Sequence, residues 1–130
     1  MNDMAYDHGA FRVSNLENSI KFYTEKLGFT FLFQNENPAH HEKYAFLENH
    51  GARLELIETT DAVYHPIKPE APYCPHLCFE TDDIDGVITT LKENGIELLD
   101  GPNEIPGSEM WLYFTDLDEN VLEYITWFNK

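Results

Sequence analysis

Four residues have the types and the spacing to do chemistry together: His8, Glu55, His76 and Glu123. A shift of 68 positions carries His8 onto His76 and Glu55 onto Glu123. Each half of the 130-residue chain therefore supplies one imidazole and one carboxylate at equivalent places. The pattern points to a duplicated module whose two copies close around one metal ion. Mixed nitrogen and oxygen ligation suits Zn, Ni, Co, Mn or Fe(II).

The two glutamates sit in runs that make them conspicuous. Side chains alternate across a strand, so Glu55 faces away from Leu54 and Leu56, and Glu123 faces away from Leu122 and Tyr124. A carboxylate in an apolar sheet centre is costly unless it is paired or bound to a cation. His8 and His76 both stand at strand starts. His40, His41, His50 and His65 have no partner at a useful spacing and read as loop histidines.

The elements that must position these groups repeat with them. At the same shift Phe11 meets Phe79, Asn15 meets Asp83, Leu16 meets Ile84 and Ile20 meets Ile88. Further on, Phe46 meets Phe114, Leu54 meets Leu122 and Ile57 meets Ile125. One slip of register pairs Gly28 with Gly95 and Phe29 with Ile96. Self-similarity at a fixed shift marks a repeated structural unit.

In the first copy, alternation predicts a strand over His8 to Val13. A helix capped by Ser14 or Asn15 follows, its apolar face made by Leu16, Ile20, Phe22, Tyr23 and Leu27 and its end marked by Gly28. Phe29 to Phe33 reads as a strand and Gln34 to Glu42 as a loop. Tyr44 to Glu48 and Ala52 to Glu58 read as a hairpin across Asn49-His50-Gly51. In the second copy the strand His76 to Glu80 precedes a helix capped by Asp82 or Asp83, running to about Asn94 and stopped by Gly95. Ile96 to Leu99 reads as a strand and Asp100 to Ser108, with two prolines, as a loop. Met110 to Thr115 and Asn120 to Thr126 are the last strands, joined by Asp116-Leu117-Asp118-Glu119.

The expected fold is α+β: two βαβββ modules in tandem, forming a curved mixed sheet of two half-barrels with helices on the outer face. The modules span about 5–58 and 74–127 of a single domain, 1–130, and a proline-rich linker, 59–75, joins them. A chain of this size buries roughly two-thirds of its unfolded surface.

Composition narrows the partners. The net charge is −16, with only eight Lys and Arg, which disfavours nucleic acid and anionic membranes. No apolar run approaches the ~20 residues of a membrane span. No secretory signal is read at the N-terminus. Cys74 and Cys78 join no zinc pattern and read as reduced thiols, so a cytoplasmic location is expected.

The stretch His8-Gly-Ala-Phe-Arg-Val-Ser-Asn-Leu-Glu-Asn-Ser-Ile-Lys-Phe-Tyr-Thr-Glu-Lys-Leu-Gly-Phe29 resembles the opening module of the vicinal oxygen chelate superfamily (glyoxalase, bleomycin resistance protein and dioxygenase), and most closely glyoxalase I, the lactoylglutathione lyases. The likeness covers nearly the whole chain. It includes Glu36-Asn37-Pro38, Leu54-Glu55-Leu56, the strand opened by His76, and the Asp116 to Ile125 ending.

The resemblance implies an octahedral centre of Ni or Zn, with Co, Mn or Fe as further options. It implies a homodimer with sites at the subunit interface, where His8 and Glu55 of one chain meet His76 and Glu123 of the other. The implied reaction isomerises the hemithioacetal of methylglyoxal and a thiol, glutathione in the family, to the lactoyl thioester through a metal-stabilised enediolate. Glu123, with Glu55 as its counterpart, would move the proton. Arg12 occupies the position of an arginine that grips the glutathione carboxylate. Thr59 stands where glyoxalases usually place an asparagine that contacts glutathione.

Three alternatives belong beside this reading. An Fe(II) ring-cleaving dioxygenase needs open positions that a fourth ligand, Glu55, would fill. A metal-dependent epimerase or thiol transferase shares the ligand types, although a phosphonate-directed transferase wants more cations than this chain has. A resistance protein that sequesters a small molecule would not need four intact ligands.

Overall fold

The computed structural model describes residues 3–128. Within it the chain divides between Pro66 and Ile67 into two compact units, each with its own four-stranded mixed sheet.

The first unit contains β1 (His8–Arg12), α1 (Leu16–Lys21), β2 (Thr30–Asn37), β3 (Glu42–Asn49) and β4 (Ala52–Thr59). Its strand order is β1-β4-β3-β2, with β1 parallel to β4 and the other pairs antiparallel. The second unit repeats this plan with β5 (His76–Glu80), α2 (Ile84–Glu93), β6 (Asp100–Ile105), β7 (Glu109–Thr115) and β8 (Val121–Trp127), ordered β5-β8-β7-β6. Two βαβββ modules are therefore present, in the order expected. Among the described residues no helix is long and apolar enough to cross a membrane.

Each helix starts where the sequence offers a cap. Asn15, with its side chain accepting from the Asn18 N–H at 2.9 Å, caps α1. The Glu58 carboxylate adds a second acceptor there, 2.6 Å from the Leu16 N–H. It sits at the positive end of the helix. Asp83 caps α2 through the Gly86 N–H at 3.0 Å. At the other end Gly95 adopts φ +73, Ile96 N–H donates to Leu91 O and Gly95 N–H to Lys92 O. This pair of bonds closes the helix in a Schellman turn.

The one-residue slip at Gly28 has a structural cause. From α1 the chain continues as a single π-helical turn, Phe22–Lys26. Such a turn absorbs one inserted residue without breaking the helix. Its Tyr23 O accepts from Phe29 N–H at 3.0 Å, and Gly28 has φ +75. The second module has no such turn and is one residue shorter here.

The register returns later than the sequence pairing implied. Phe46 stands opposite Glu55, whereas Tyr113, not Phe114, stands opposite Glu123. Leu47 pairs with Leu54 in the first hairpin and Phe114 with Leu122 in the second. The structural counterpart of Phe46 is therefore Tyr113, and that of Leu47 is Phe114. The compensating residue lies in the β7–β8 turn. Asp116 organises that turn: Oδ1 accepts from the N–H groups of Asp118 and Asn120, and Oδ2 from Asn120 Nδ2.

Two other expectations are corrected. Strand β2 runs to Asn37, into the segment read as loop, because Asn35, Glu36 and Asn37 pair with Tyr44, Lys43 and Glu42. In the second module Ile96 to Leu98 is not a strand, and the pairing begins where a loop was expected, at Asp100. Prolines suggested the loop. Strand β6 is an edge strand with its register shifted between Asp100 and Asn103, so Pro102 costs no ladder bond.

The core of the first unit packs α1 against β3 and β4. Leu16, Phe22, Tyr23 and Leu27 lie buried with Ala45, Leu47, Leu54 and Leu56. In the second, Ile84 and Leu91 of α2 are buried with Leu112, Phe114, Val121 and Leu122. In both sheets the glutamates of interest point to the opposite face from these leucines.

Candidate metal centre

The parallel strand pair builds the same couple in each unit. In β1–β4, Glu55 stands level with Ala10, two residues beyond His8 and on the same face. In β5–β8, Glu123 stands level with Cys78, two residues beyond His76. The side chains meet diagonally. His8 Nε2 lies 3.3 Å from Glu55 Oε1, and His76 Nε2 lies 3.0 Å from Glu123 Oε1.

The second ring nitrogen is held in both cases. His8 Nδ1 is 2.7 Å from Asp7 Oδ2, and His76 Nδ1 is 3.0 Å from Tyr73 O. His8 also draws the Asp7 carboxyl below its usual range by this hydrogen bond. An Nδ1–H held by a carboxylate or a carbonyl leaves Nε2 as the ligating nitrogen. Metal-bound histidines are oriented this way. The donor set, imidazole plus carboxylate in each couple, therefore fits a divalent ion. Among the described residues no group of three or more His, Cys, Asp or Glu side chains is placed to hold a metal ion, and each unit carries its own His–Glu couple.

The couples have different walls. His8 meets Phe46 edge-on, with ring centroids 4.9 Å apart, and Phe46 stacks on Phe33 at 5.2 Å. His76 meets Tyr113 edge-on at 5.3 Å, and Tyr113 lies against Tyr73 at 5.1 Å. Glu123 is the more enclosed carboxylate, with 10% of its side chain exposed against 18% for Glu55.

The family model described as the Glyoxalase/Bleomycin resistance protein/Dioxygenase superfamily matches residues 5–124. The chain belongs to that superfamily. A Vibrio cholerae protein named probable lactoylglutathione lyase is 29% identical over 123 residues, covering 91% of this chain and 87% of its own. The Staphylococcus epidermidis metallothiol transferase FosB is 31% identical over 120 residues, covering 92% and 81%. The crystal structure of a glyoxalase family protein from Enterococcus faecalis superposes with a TM-score of 0.76 at 31% identity, covering 93% and 96%.

Around this superfamily fold, the structure joins the two residues expected to hold substrate. Arg12 Nη2 donates to Thr59 Oγ1 at 3.0 Å, and the guanidinium lies over the Tyr64 ring, 4.5 Å from its centroid. Thr59 and Tyr64 also line an open cleft of about 700 Å³, together with Val13, Ser14, Lys43 and the rest of the segment from Glu58 to Tyr64. In that cleft Lys43 Nζ lies 3.7 Å from Glu58 Oε2.

Three residues near the couples were not singled out as site residues from the sequence. Cys78 is level with Glu123, and loss of solvation followed by the Glu123 charge pushes its thiol up to about 12. The residue keeps some exposed surface, and the Glu123 carboxylate adds to the upward direction that loss of solvation sets. Burial first, then Glu123, raises the Tyr113 hydroxyl as well. Strand alternation from His76 would have placed Cys78 on the site face. The third is Arg53, whose buried Nε has no hydrogen-bond partner among the described residues. An unpaired buried donor costs about 1–3 kcal/mol. His40, His41 and His50 lie in turns, as expected; His40 Nδ1 contacts Asn37 Oδ1 at 3.1 Å, and His41 and His50 adopt positive φ.

Proposed function

We propose that the protein is a metal-dependent, glyoxalase I-like isomerase that converts a methylglyoxal–thiol hemithioacetal to the lactoyl thioester. The observation that carries this reading is the couple built twice: His Nε2 facing Glu Oε1, with Nδ1 tied back each time. Two ligands are fewer than a metal centre uses, and four match one site. In this reading His8 and Glu55 of one protomer and His76 and Glu123 of its partner are the halves of one centre in a homodimer. Ni and Zn both accept this donor set.

A divalent ion held by these residues supplies Lewis acidity toward the substrate oxygens. The chain's own residues do the remainder. Glu123 removes the proton from the carbon bearing sulfur and hydroxyl and returns it to the neighbouring carbon, while the proton of that hydroxyl passes to the former ketone oxygen as the thioester carbonyl forms. The low exposure of Glu123 limits competition from water for the proton it carries. Glu55 is its counterpart across the centre. Arg12, positioned by Thr59 and Tyr64, receives an anionic end of the thiol.

The likeness to FosB, a metallothiol transferase, favours a second reading: thiol transfer to an electrophile from the same centre. One assay separates them. Metal-stripped protein is reconstituted separately with Ni and Zn and supplied with methylglyoxal and glutathione. Formation of S-lactoylglutathione that returns with one of the metals is the expected result. Metal-loaded protein that makes none of it overturns the isomerase reading and leaves the transferase.

A further inference from the structure

The chain has only two arginines, Arg12 and Arg53, and both lie on the sheet face that carries the His8–Glu55 couple. Alternation places Arg12 with His8 along β1, and Arg53 with Glu55 along β4. Arg12 is engaged at one end of this stripe by Thr59 and Tyr64. Arg53 stands at the other end, level with His8 in one ladder and with Glu48 in the other.

The Arg53 guanidinium packs over the Phe46 ring, 4.9 Å from its centroid, and Phe46 is the ring that meets His8. Stacking on an aromatic face fixes the planar fork while leaving its edges able to donate. Among the described residues it forms no ion pair, and its buried Nε donates to nothing. Its cross-strand neighbour Glu48 is turned to the hairpin, where Oε1 accepts from Gly51 N–H at 3.2 Å. The Arg53 charge reaches the Asp7 carboxyl, which is hydrogen-bonded to His8, but no carboxylate among the described residues stands in ion-pair contact with the guanidinium, which is unusual in a chain with 24 acidic and 8 basic residues.

We propose that Arg53 is a specificity-determining residue that receives a carboxylate of the substrate on the side of the His8–Glu55 couple away from Arg12. The fork matches a carboxylate in two parallel hydrogen bonds, and the pair gains strength in a partly desolvated place. A strongly acidic chain repels anionic substrates in general, so local guanidinium groups are what admit one. This inference rests on the functional reading above for the reaction, but not for the binding preference.

The test uses full-length, metal-reconstituted protein and calorimetry with two unreactive probes, S-methylglutathione and its diethyl ester. The wild type is expected to prefer the free acid by at least about tenfold, the scale of a charged hydrogen-bonded contact. Arg53→Gln should reduce that preference by about tenfold, and Arg53→Lys by less, with metal content and circular dichroism unchanged in both. A wild type with no preference, including one that binds neither probe, overturns the proposal. So does an Arg53→Gln protein with the wild-type preference. An Arg53-dependent preference without any lactoyl thioester formation refutes the isomerase reading and leaves the role of Arg53 standing; activity with an Arg53-independent preference does the reverse.

Discussion

Replacing Glu123 with glutamine is expected to lower turnover of the hemithioacetal by a factor of about 10² to 10⁴, the range a positioned general base contributes. The amide keeps the shape of the side chain and an oxygen near His76 Nε2, where Oε1 now lies at 3.0 Å. It removes the basic electron pair that accepts the proton. Metal content measured by mass spectrometry should therefore stay close to that of the wild type while kcat collapses. Glu55→Gln should cost less, because Glu55 is the more exposed of the two carboxylates. Steady-state kinetics with matched metal loading check both variants. Full activity of Glu123→Gln would remove this residue from the proton-transfer role.

Phe114→Ala is expected to destabilise the protein by about 3–5 kcal/mol, the usual cost of emptying a buried phenylalanine site. Phe114 is fully buried, and its ring stacks on Tyr124 with centroids 5.7 Å apart. Such a loss is a large share of the roughly 5–15 kcal/mol that holds a domain together. Phe46→Ala, at the position the sequence repeat pairs with Phe114, should cost distinctly less. Phe46 is half-buried on the site face and touches His8, Phe33 and Tyr44. Urea titration of the metal-free proteins gives both values. Equal costs would mean that the two phenylalanines are equivalent core positions after all.

That contrast shows what a one-dimensional repeat can and cannot convey. Apolar identity made Phe46 and Phe114 look like counterparts, since a shift of one residue is invisible when neighbouring positions are all apolar. The ladder fixes the matter, because it sets which residue faces Glu55 or Glu123. The slip at Gly28 was legible, and its cause, a π-helical turn, was not: backbone winding leaves no composition signal. Strand β6 was hidden by Pro102 and Pro106, residues that read as loop unless the strand is known to be an edge. Helix caps and stops were readable because they depend on single residues with specific hydrogen bonds, Asn15, Asp83 and Gly95.

The site was legible to the same degree as its strands. Pairing of His8 with Glu55 and of His76 with Glu123 follows from parallel registers that two short, similar segments share. The contact of Arg12 with Thr59 also follows, since both lie at the far end of the same strand pair. The places of Arg53, Cys78 and Tyr113 beside the couples were not legible, because they depend on register rather than on residue type. Arg53 reads as an ordinary surface charge until β4 is set beside β1.

The most direct test of the central claim is equilibrium dialysis of Ni and Zn against wild type, His8→Ala and His76→Ala. If the two couples are halves of one centre, the wild type binds one ion per chain, and either substitution weakens binding by at least about a hundredfold, the upper end of what loss of even an outer-sphere partner costs. If each single variant still binds an ion at wild-type affinity through its remaining couple, the couples are independent and the shared centre does not exist.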